Sequence, residues 1–433
     1  MRFSLSYKHI LSFTIPAVLL VSCSEPTEIK TQPKDTPQVY IPLNERYTNQ
    51  DSEFPETSAF DKSIMRFLEQ WKLKGASVAV MRNDSLLYAK GYGFANEQES
   101  ISTDVSHLFR VASVSKLITA AAIMKLCEQN KLSLHSQVFG TEGILKDSVH
   151  GQIRDSKAKL ITVEHLLRHQ GGFSRRQGDP LFETQLIEAR LHAPSPYVNE
   201  DLIQYATKSP LRFRPGTYAS YSNLGYAVLE KVIEEASGTP YEKYVKENVL
   251  RPAGCNNMYI GNSQQSRAHK NEVAYYEPED SELIPDPQNP RQMVRKSDGG
   301  NDIRLLGAAG GWIASPIELL RFISCINGND NGRQILSQSS VWQMTADCDN
   351  GFPIGWMNVS DKEWRRSGSM AGTSSLIVFK KEGYSWAFIT NTSTWRGSGF
   401  TQEINSMMNK AIRKVESWPE RDMFESTTSV YSY

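Results

Sequence analysis

The sequence has no surplus charge of either sign. Lys plus Arg and Asp plus Glu each total 48 in 433 residues. Without a basic excess there is no electrostatic footprint for nucleic acid or for an acidic membrane surface, and nucleic acid is not an expected partner. Cysteine is scarce: there are five, and no two are spaced C-x-x-C, which argues against zinc ribbons and thioredoxin-like redox motifs. No G-x-S-x-G occurs, so the α/β-hydrolase elbow is missing. Gly310-Gly311 is not followed by Gly-Lys-Ser/Thr, so it makes no phosphate loop. His165 and His169 are four apart in Glu164-His165-Leu166-Leu167-Arg168-His169, but the H-E-x-x-H zinc motif needs Glu after the first His, and here it precedes it. No metal and no cofactor are expected. Internal repeats are also absent.

Long apolar runs are nearly missing, with one exception. Arg2 and Lys8 precede a run from Ile10 to Val21, which is interrupted by Ser12, Thr14 and Pro16. That is the form of a signal peptide and too short for a spanning helix. It ends Leu20-Val21-Ser22-Cys23, which resembles the lipobox of bacterial lipoproteins. The resemblance implies lipidation at Cys23 and a membrane partner through more than one acyl chain, hence stable anchoring in the cell envelope. In an exported protein the other cysteines, Cys127, Cys255, Cys325 and Cys348, are open to pairing of unspecified connectivity. Cys127 and Cys325 sit in apolar helical runs and read as buried free thiols. Trp312, Trp356 and Trp395 read as core aromatics, with lining of the cleft as the alternative.

The expected organisation is a signal peptide over 1–22, a Pro-, Thr- and Glu-rich tether over 23–56, and a sheet domain built from 57–125 and 300–418. A mostly helical domain over 126–299 is inserted, and 419–433 is a C-terminal tail. Phe60, Ile64, Phe67, Leu68 and Trp71 have helical spacing. Ala76–Val80 and Leu86–Ala89 flank Asn83-Asp84, a hairpin signal. Helices are predicted over 111–128, 161–169, 224–236 and 240–249. Ser374–Phe379 and Tyr384–Asn391 form a second hairpin, followed by a helix over 407–415. The fold class is therefore α+β: one antiparallel sheet made from both ends of the chain and flanked by helices, with a helical insertion.

The apolar helix over 111–128 carries Ser113 and Lys116 near its start, at i and i+3 and so on one face. Burying a lysine costs several kcal/mol unless it is paired or loses its proton. A serine hydroxyl is a weak nucleophile until a base takes its proton. Desolvation at this site would lower the lysine pKa so that it could sit neutral, and the positive end of the helix dipole would favour the alkoxide. Further along, Tyr221-Ser222-Asn223 precedes another helix.

These two units, together with Leu166-Leu167-Arg168-His169-Gln170-Gly171-Gly172-Phe173, Ala309-Gly310-Gly311-Trp312-Ile313-Ala314-Ser315 and Gly355-Trp356, occur in an order that resembles one serine hydrolase family. It comprises class C β-lactamases, D-alanyl-D-alanine carboxypeptidases and related esterases. The likeness extends over roughly residues 60–415. It implies Ser113 as the acylated nucleophile, Lys116 as the group that tunes it, and Tyr221 as the general base. Asn223 would bind a substrate carbonyl and help hold Lys116.

The family's third motif reads Lys-Thr-Gly or His-x-Gly on an edge strand. Here Arg366-Ser367-Gly368 stands in its place. Arg366 keeps the charge and would grip a substrate carboxylate, but it cannot serve as a neutral base. Gly368 permits close backbone approach, and the N–H groups of Ser113 and Ser369 would form the oxyanion hole. The expectation is a lipid-anchored envelope serine hydrolase that cleaves an ester or amide of a small molecule or peptide. The alternatives are a D-Ala-D-Ala carboxypeptidase or β-lactamase, and an inactive binding protein. Oligomeric state is left open.

Overall fold

Near the start of the described residues, helix α1 (Ser58–Trp71) buries Phe60, Ile64, Phe67 and Leu68, one stripe of its surface. Lys72 ends it in a left-handed conformation. Strands β1 (Gly75–Arg82) and β2 (Ser85–Asn96) follow, joined at Asn83 and Asp84, both at positive φ. Two consecutive positive φ values are what a tight two-residue hairpin requires, and Asn and Asp tolerate them. The computed structural model describes residues 41–425 apart from 147–149, 151 and 177. The expected signal peptide, Cys23 and the first part of the tether lie outside the described residues.

The remaining strands are β3 (Ile101–Ser102), β4 (Phe109–Arg110), β5 (Tyr259–Ile260), β6 (Ile284–Asp286), β7 (Asn289–Val294), β8 (Trp312–Ala314), β9 (Asn358–Val359), β10 (Glu363–Met370), β11 (Thr373–Lys380) and β12 (Tyr384–Thr390). Among the described residues, seven of them form one antiparallel sheet in the order β3-β2-β1-β12-β11-β10-β9. The two ends of the chain meet at its centre, where β1 pairs with β12 and Val78 lies opposite Phe388. The fold class is the expected one, an antiparallel sheet with helices on it.

Central strands are buried on both faces. Ala76, Val78 and Val80 face one apolar layer with Phe60, Phe67, Phe388 and Phe400, under α1 and the C-terminal helix Phe400–Ile412. Ala79 and Met81 face the other layer, which contains helix α2 (Ser115–Glu128). Emptying one such aromatic site costs about 3–5 kcal/mol in a well-packed core. Ten of the first ten residues of α2, Ser115 to Met124, are buried, so it is surrounded by protein and not amphipathic. The segment between the two sheet halves supplies α3 (Val163–Leu167), α4 (Gln185–Leu191), α5 (Asn199–Lys208) and α6 (Asn223–Ser237), as well as the β6–β7 ribbon. Helix α6 starts at Ser222, whose hydroxyl accepts from the Gly225 amide, and stops at Gly238 at φ 67°.

Three expectations are corrected. Residues 41–56 are not tether: Leu43, Asn44 and Ser52 are buried, and Asn44 donates to the Ser106 carbonyl. The tail is docked as far as it is described, with the Met423 amide donating to Leu86 O and Met423 and Phe424 buried. The helix expected from residue 161 begins at Val163 and ends at Leu167, before His169 at φ 60°. All four described cysteines are free thiols; Cys255 and Cys325 are buried, Cys127 and Cys348 only partly. Trp312 and Trp356 are core residues, whereas Trp395 is 80% exposed. No described helix is long and apolar enough to cross a membrane.

Candidate active site

Ser113 lies on a single 3-10 turn, Ala112–Val114, immediately before α2, and not inside the helix as expected. The turn is strained, since Ala112 has φ 48°. Such backbone persists only where its surroundings over-determine it. Strand β11 does so: Thr373 Oγ1 donates to Arg110 O and Ser375 Oγ to Val111 O, each at 2.8 Å. Gly368 on β10 lies so close that a Cβ there would come within 2.2 Å of Val111 O and 2.9 Å of Ser113 N. No other residue fits, and the bare Cα brings the edge of the sheet against the Ser113 amide.

Lys116 is fully buried. Its Nζ donates to Ser113 Oγ (3.2 Å), Asn223 Oδ1 (2.7 Å) and Ala309 O (2.5 Å). Three acceptors match three ammonium protons. Burial pulls its pKa down to about 8 and the Arg366 charge adds to this, while Tyr221 and Asp179 oppose it. The sequence left open a neutral amine here; the three acceptors suit the charged form. The Ala309 carbonyl is available because it lies in the last turn of helix α7 (Ile303–Gly310), which is kinked at Gly307. There the Ala308 amide bonds Glu230 Oε2 at 2.7 Å. Ala308 O is turned to Thr119 on α2.

Tyr221 OH donates to Ser113 Oγ at 2.9 Å. Burial would push its phenol up. The Lys116 charge and then the Arg366 charge outweigh that, with the Ser113 hydrogen bond helping, and bring it down to about 7. Asn223 is fixed from both ends: Oδ1 accepts from Lys116, and Nδ2 donates to Asp179 Oδ2 at 2.7 Å. Asp179 was not among the expected residues; nothing in its local sequence marks it.

Arg366 is fully buried. Nε donates to Ser113 O at 2.7 Å and Nη2 to Tyr221 OH at 3.1 Å. Its guanidinium is thus directed at the Ser113 backbone and the Tyr221 phenol. Strand β9 pairs only with Trp364 and Arg365, so β10 is the open edge from Arg366 onward. Ser113, Tyr221, Gly368 and Ser369 line one cleft of about 280 Å³ with Leu306, Phe352, Met357 and Met370.

His169, set aside in the sequence as half of a rejected zinc pair, belongs to this site. Its ring lies 4.4 Å from that of Tyr221, and Nδ1 accepts from the Ser222 amide at 3.2 Å. Burial, with the charges of Lys116 and Arg366, holds it well below the usual histidine range. A neutral imidazole here orients the Tyr221–Asn223 turn without adding charge. The signal was its place in the Leu166–Phe173 stretch. His165 instead caps α3, its Nδ1 accepting from the Thr162 amide. Among the described residues no group of three or more His, Cys, Asp or Glu is placed to hold a metal.

Residues 60–405 match the β-lactamase family pattern. The chain belongs to that family. Its relatives are serine hydrolases. It is similar to the putative penicillin-binding protein PbpX of Bacillus subtilis strain 168, 24% identical over 324 residues, which are 75% of this chain and 71% of that one. It also resembles a putative D-alanyl-D-alanine carboxypeptidase of Escherichia coli O157:H7, 23% identical over 215 residues, 46% of this chain and 48% of that one. The fold matches D-amino acid amidase from Ochrobactrum anthropi SV3, with TM-score 0.65, 17% identity, and 84% of this chain and all (100%) of that one covered.

One tyrosine should ionise near neutral pH, far from Tyr88, Tyr92, Tyr226, Tyr241 and Tyr275, all held above the ordinary value by burial. Phenolate absorbance in the near ultraviolet should show one equivalent appearing near pH 7. It should vanish in Tyr221→Phe and move to higher pH in Arg366→Gln. A titration with no neutral-range tyrosine would remove the two-cation reading of Tyr221.

Proposed function

We propose that this protein is a lipid-anchored envelope hydrolase that cleaves an ester or amide through an acyl-enzyme at Ser113. The observation that carries the reading is the convergence of Lys116 Nζ and Tyr221 OH on Ser113 Oγ, at 3.2 and 2.9 Å.

With Tyr221 as phenolate, the hydrogen bond reverses and the Ser113 hydroxyl donates. Oγ attacks the carbonyl carbon as its proton passes to the phenolate oxygen. The carbonyl oxygen becomes an oxyanion held by the backbone N–H groups of Ser113 and Ser369, usually a large catalytic contribution. Collapse breaks the bond to the leaving group, which takes the proton from Tyr221. Water then attacks the acyl carbonyl as Tyr221 takes its proton, and collapse breaks the acyl–Oγ bond as Tyr221 returns that proton to Ser113 Oγ, restoring the phenolate. Lys116 and Arg366 need not lose their protons at any step; both stabilise negative charge on the phenol. Asn223, held by Asp179 and Lys116, would meet the substrate carbonyl.

Simple esters and peptide-like amides are favoured over β-lactams because Arg366 replaces the motif lysine. Its guanidinium is turned to Tyr221, and Arg366 is not among the residues lining the cleft. Carboxypeptidase action on D-amino-acid peptides is the second reading; the names of the relatives favour it.

The test is hydrolysis of an activated neutral ester by the full chain. kcat/KM should rise through about pH 7 as Tyr221 ionises and fall above about pH 8 as Lys116 loses its proton. Ser113→Ala should lose roughly a thousandfold or more, as removal of a nucleophile does. Equal activity in Ser113→Ala would exclude the mechanism. For the anchor, an alkyne fatty acid fed to expressing cells should label the wild type and not Cys23→Ser; label in both would exclude Cys23.

A further inference from the structure

A second cavity opens beside the Ser113 cleft and shares Arg175 and Asn223 with it. It has a volume of about 200 Å³, and Arg175, Arg176, Arg190 and Arg212 all line it. Among the described residues, none of these four guanidinium groups makes an ion pair or donates a side-chain hydrogen bond. Elsewhere in the chain Arg110, Arg168, Arg333, Arg365 and Arg396 each face a carboxylate. Only two of the four touch anything charge-sensitive: Arg175 lies 5.4 Å from the Tyr221 ring centroid and Arg190 5.8 Å from that of Tyr205.

One carboxylate, that of Asp179, also lines the cavity, and it is already engaged. Its Oδ2 accepts from Asn223 and its Oδ1 from the Leu181 amide. Glu183 lies next to it, with Oε1 on the Asp179 amide. The lining therefore carries four positive charges against one spoken-for negative charge. A concave wall of one sign focuses its field on whatever enters. Guanidinium groups pair with carboxylate or phosphate in a fixed fork. An ammonium group would be repelled from the same place.

We infer that the substrate of the Ser113 site carries an anionic group, a carboxylate or a phosphate, on the portion that extends past Asn223 into the arginine-lined cavity. The inference rests on the hydrolase reading and names its substrate class. The site would then have two limbs: an apolar one along Leu306, Phe352, Met357 and Met370, and a basic one beyond Asn223. Arg366, buried behind the nucleophile, takes no part in holding that anion.

The test uses matched esters with the full chain. One pair varies the acyl side: p-nitrophenyl hydrogen glutarate against its methyl ester. The other varies the leaving group: 4-acetoxybenzoate against its methyl ester. In at least one pair the anionic member should have the higher kcat/KM, roughly tenfold or more, the effect of a hydrogen bond to a charged group. That ratio should fall towards unity in Arg176→Gln/Arg212→Gln, recover in part in Arg176→Lys/Arg212→Lys, and shrink with added salt. Ser113-dependent turnover with no charge preference in either pair would overturn the inference while leaving the hydrolase reading intact. Failure to hydrolyse any of the four esters would count against the hydrolase reading. Calorimetric titration then reads the cavity by itself. Saturable binding that is lost in the double Gln variant supports the anion site, with tighter glutarate indicating a carboxylate and tighter inorganic phosphate a phosphate. No binding of either overturns it.

Discussion

Two buried cations, Lys116 and Arg366, face one phenol, and much of the surrounding structure serves that contact. Removing an ion from water costs several kcal/mol, and two like charges side by side add repulsion. Both costs are offset if the group between them carries negative charge. Tyr221 is that group, and its pull towards ionisation follows from the same burial that would otherwise oppose it. The cations are in turn held by acceptors that few other residues could supply. Ala309 O, one of the unpaired carbonyls at the end of its helix, accepts from Lys116, Asn223 is pinned by Asp179, and Ser113 O binds Arg366.

The sheet supplies the geometry. Ser113 and Arg366 come from opposite ends of the chain and meet because β1 pairs with β12, with β11 and β10 next in order. Hydroxyls on β11 fasten the strained backbone ahead of Ser113, and Gly368 lets the neighbouring strand close on it. Ser113 therefore sits at the junction of a sheet edge and the buried start of a helix. There the positive end of the helix dipole favours negative oxygen.

Much of this could be read from the chain because it is local. The hairpin at Asn83-Asp84, the spacing of Phe60 to Trp71 and the Ser222 and Gly238 caps are short-range signals, and the structure keeps them. Ser113, Lys116, Tyr221 and Asn223 were visible as motifs, and they converge. What could not be read depends on distant contacts. Asp179 and His169 acquire their roles only when the helical segment folds over Tyr221. For Arg366 the motif says which residue is present and not which way it turns. Residues 41–56 looked like linker by composition, yet their few apolar side chains are buried. The unpaired arginines at 175, 176, 190 and 212 are spread over 38 positions and form a cluster only in three dimensions.

The decisive measurement is the intact mass of the full chain, followed by peptide mapping, after brief exposure to a panel of activated esters and β-lactams, wild type beside Ser113→Ala. An acyl adduct mapped to Ser113, or product formed with the protein returned to its starting mass, in the wild type alone is the expected result. Adducts on another residue, or identical behaviour of the two proteins, would contradict it.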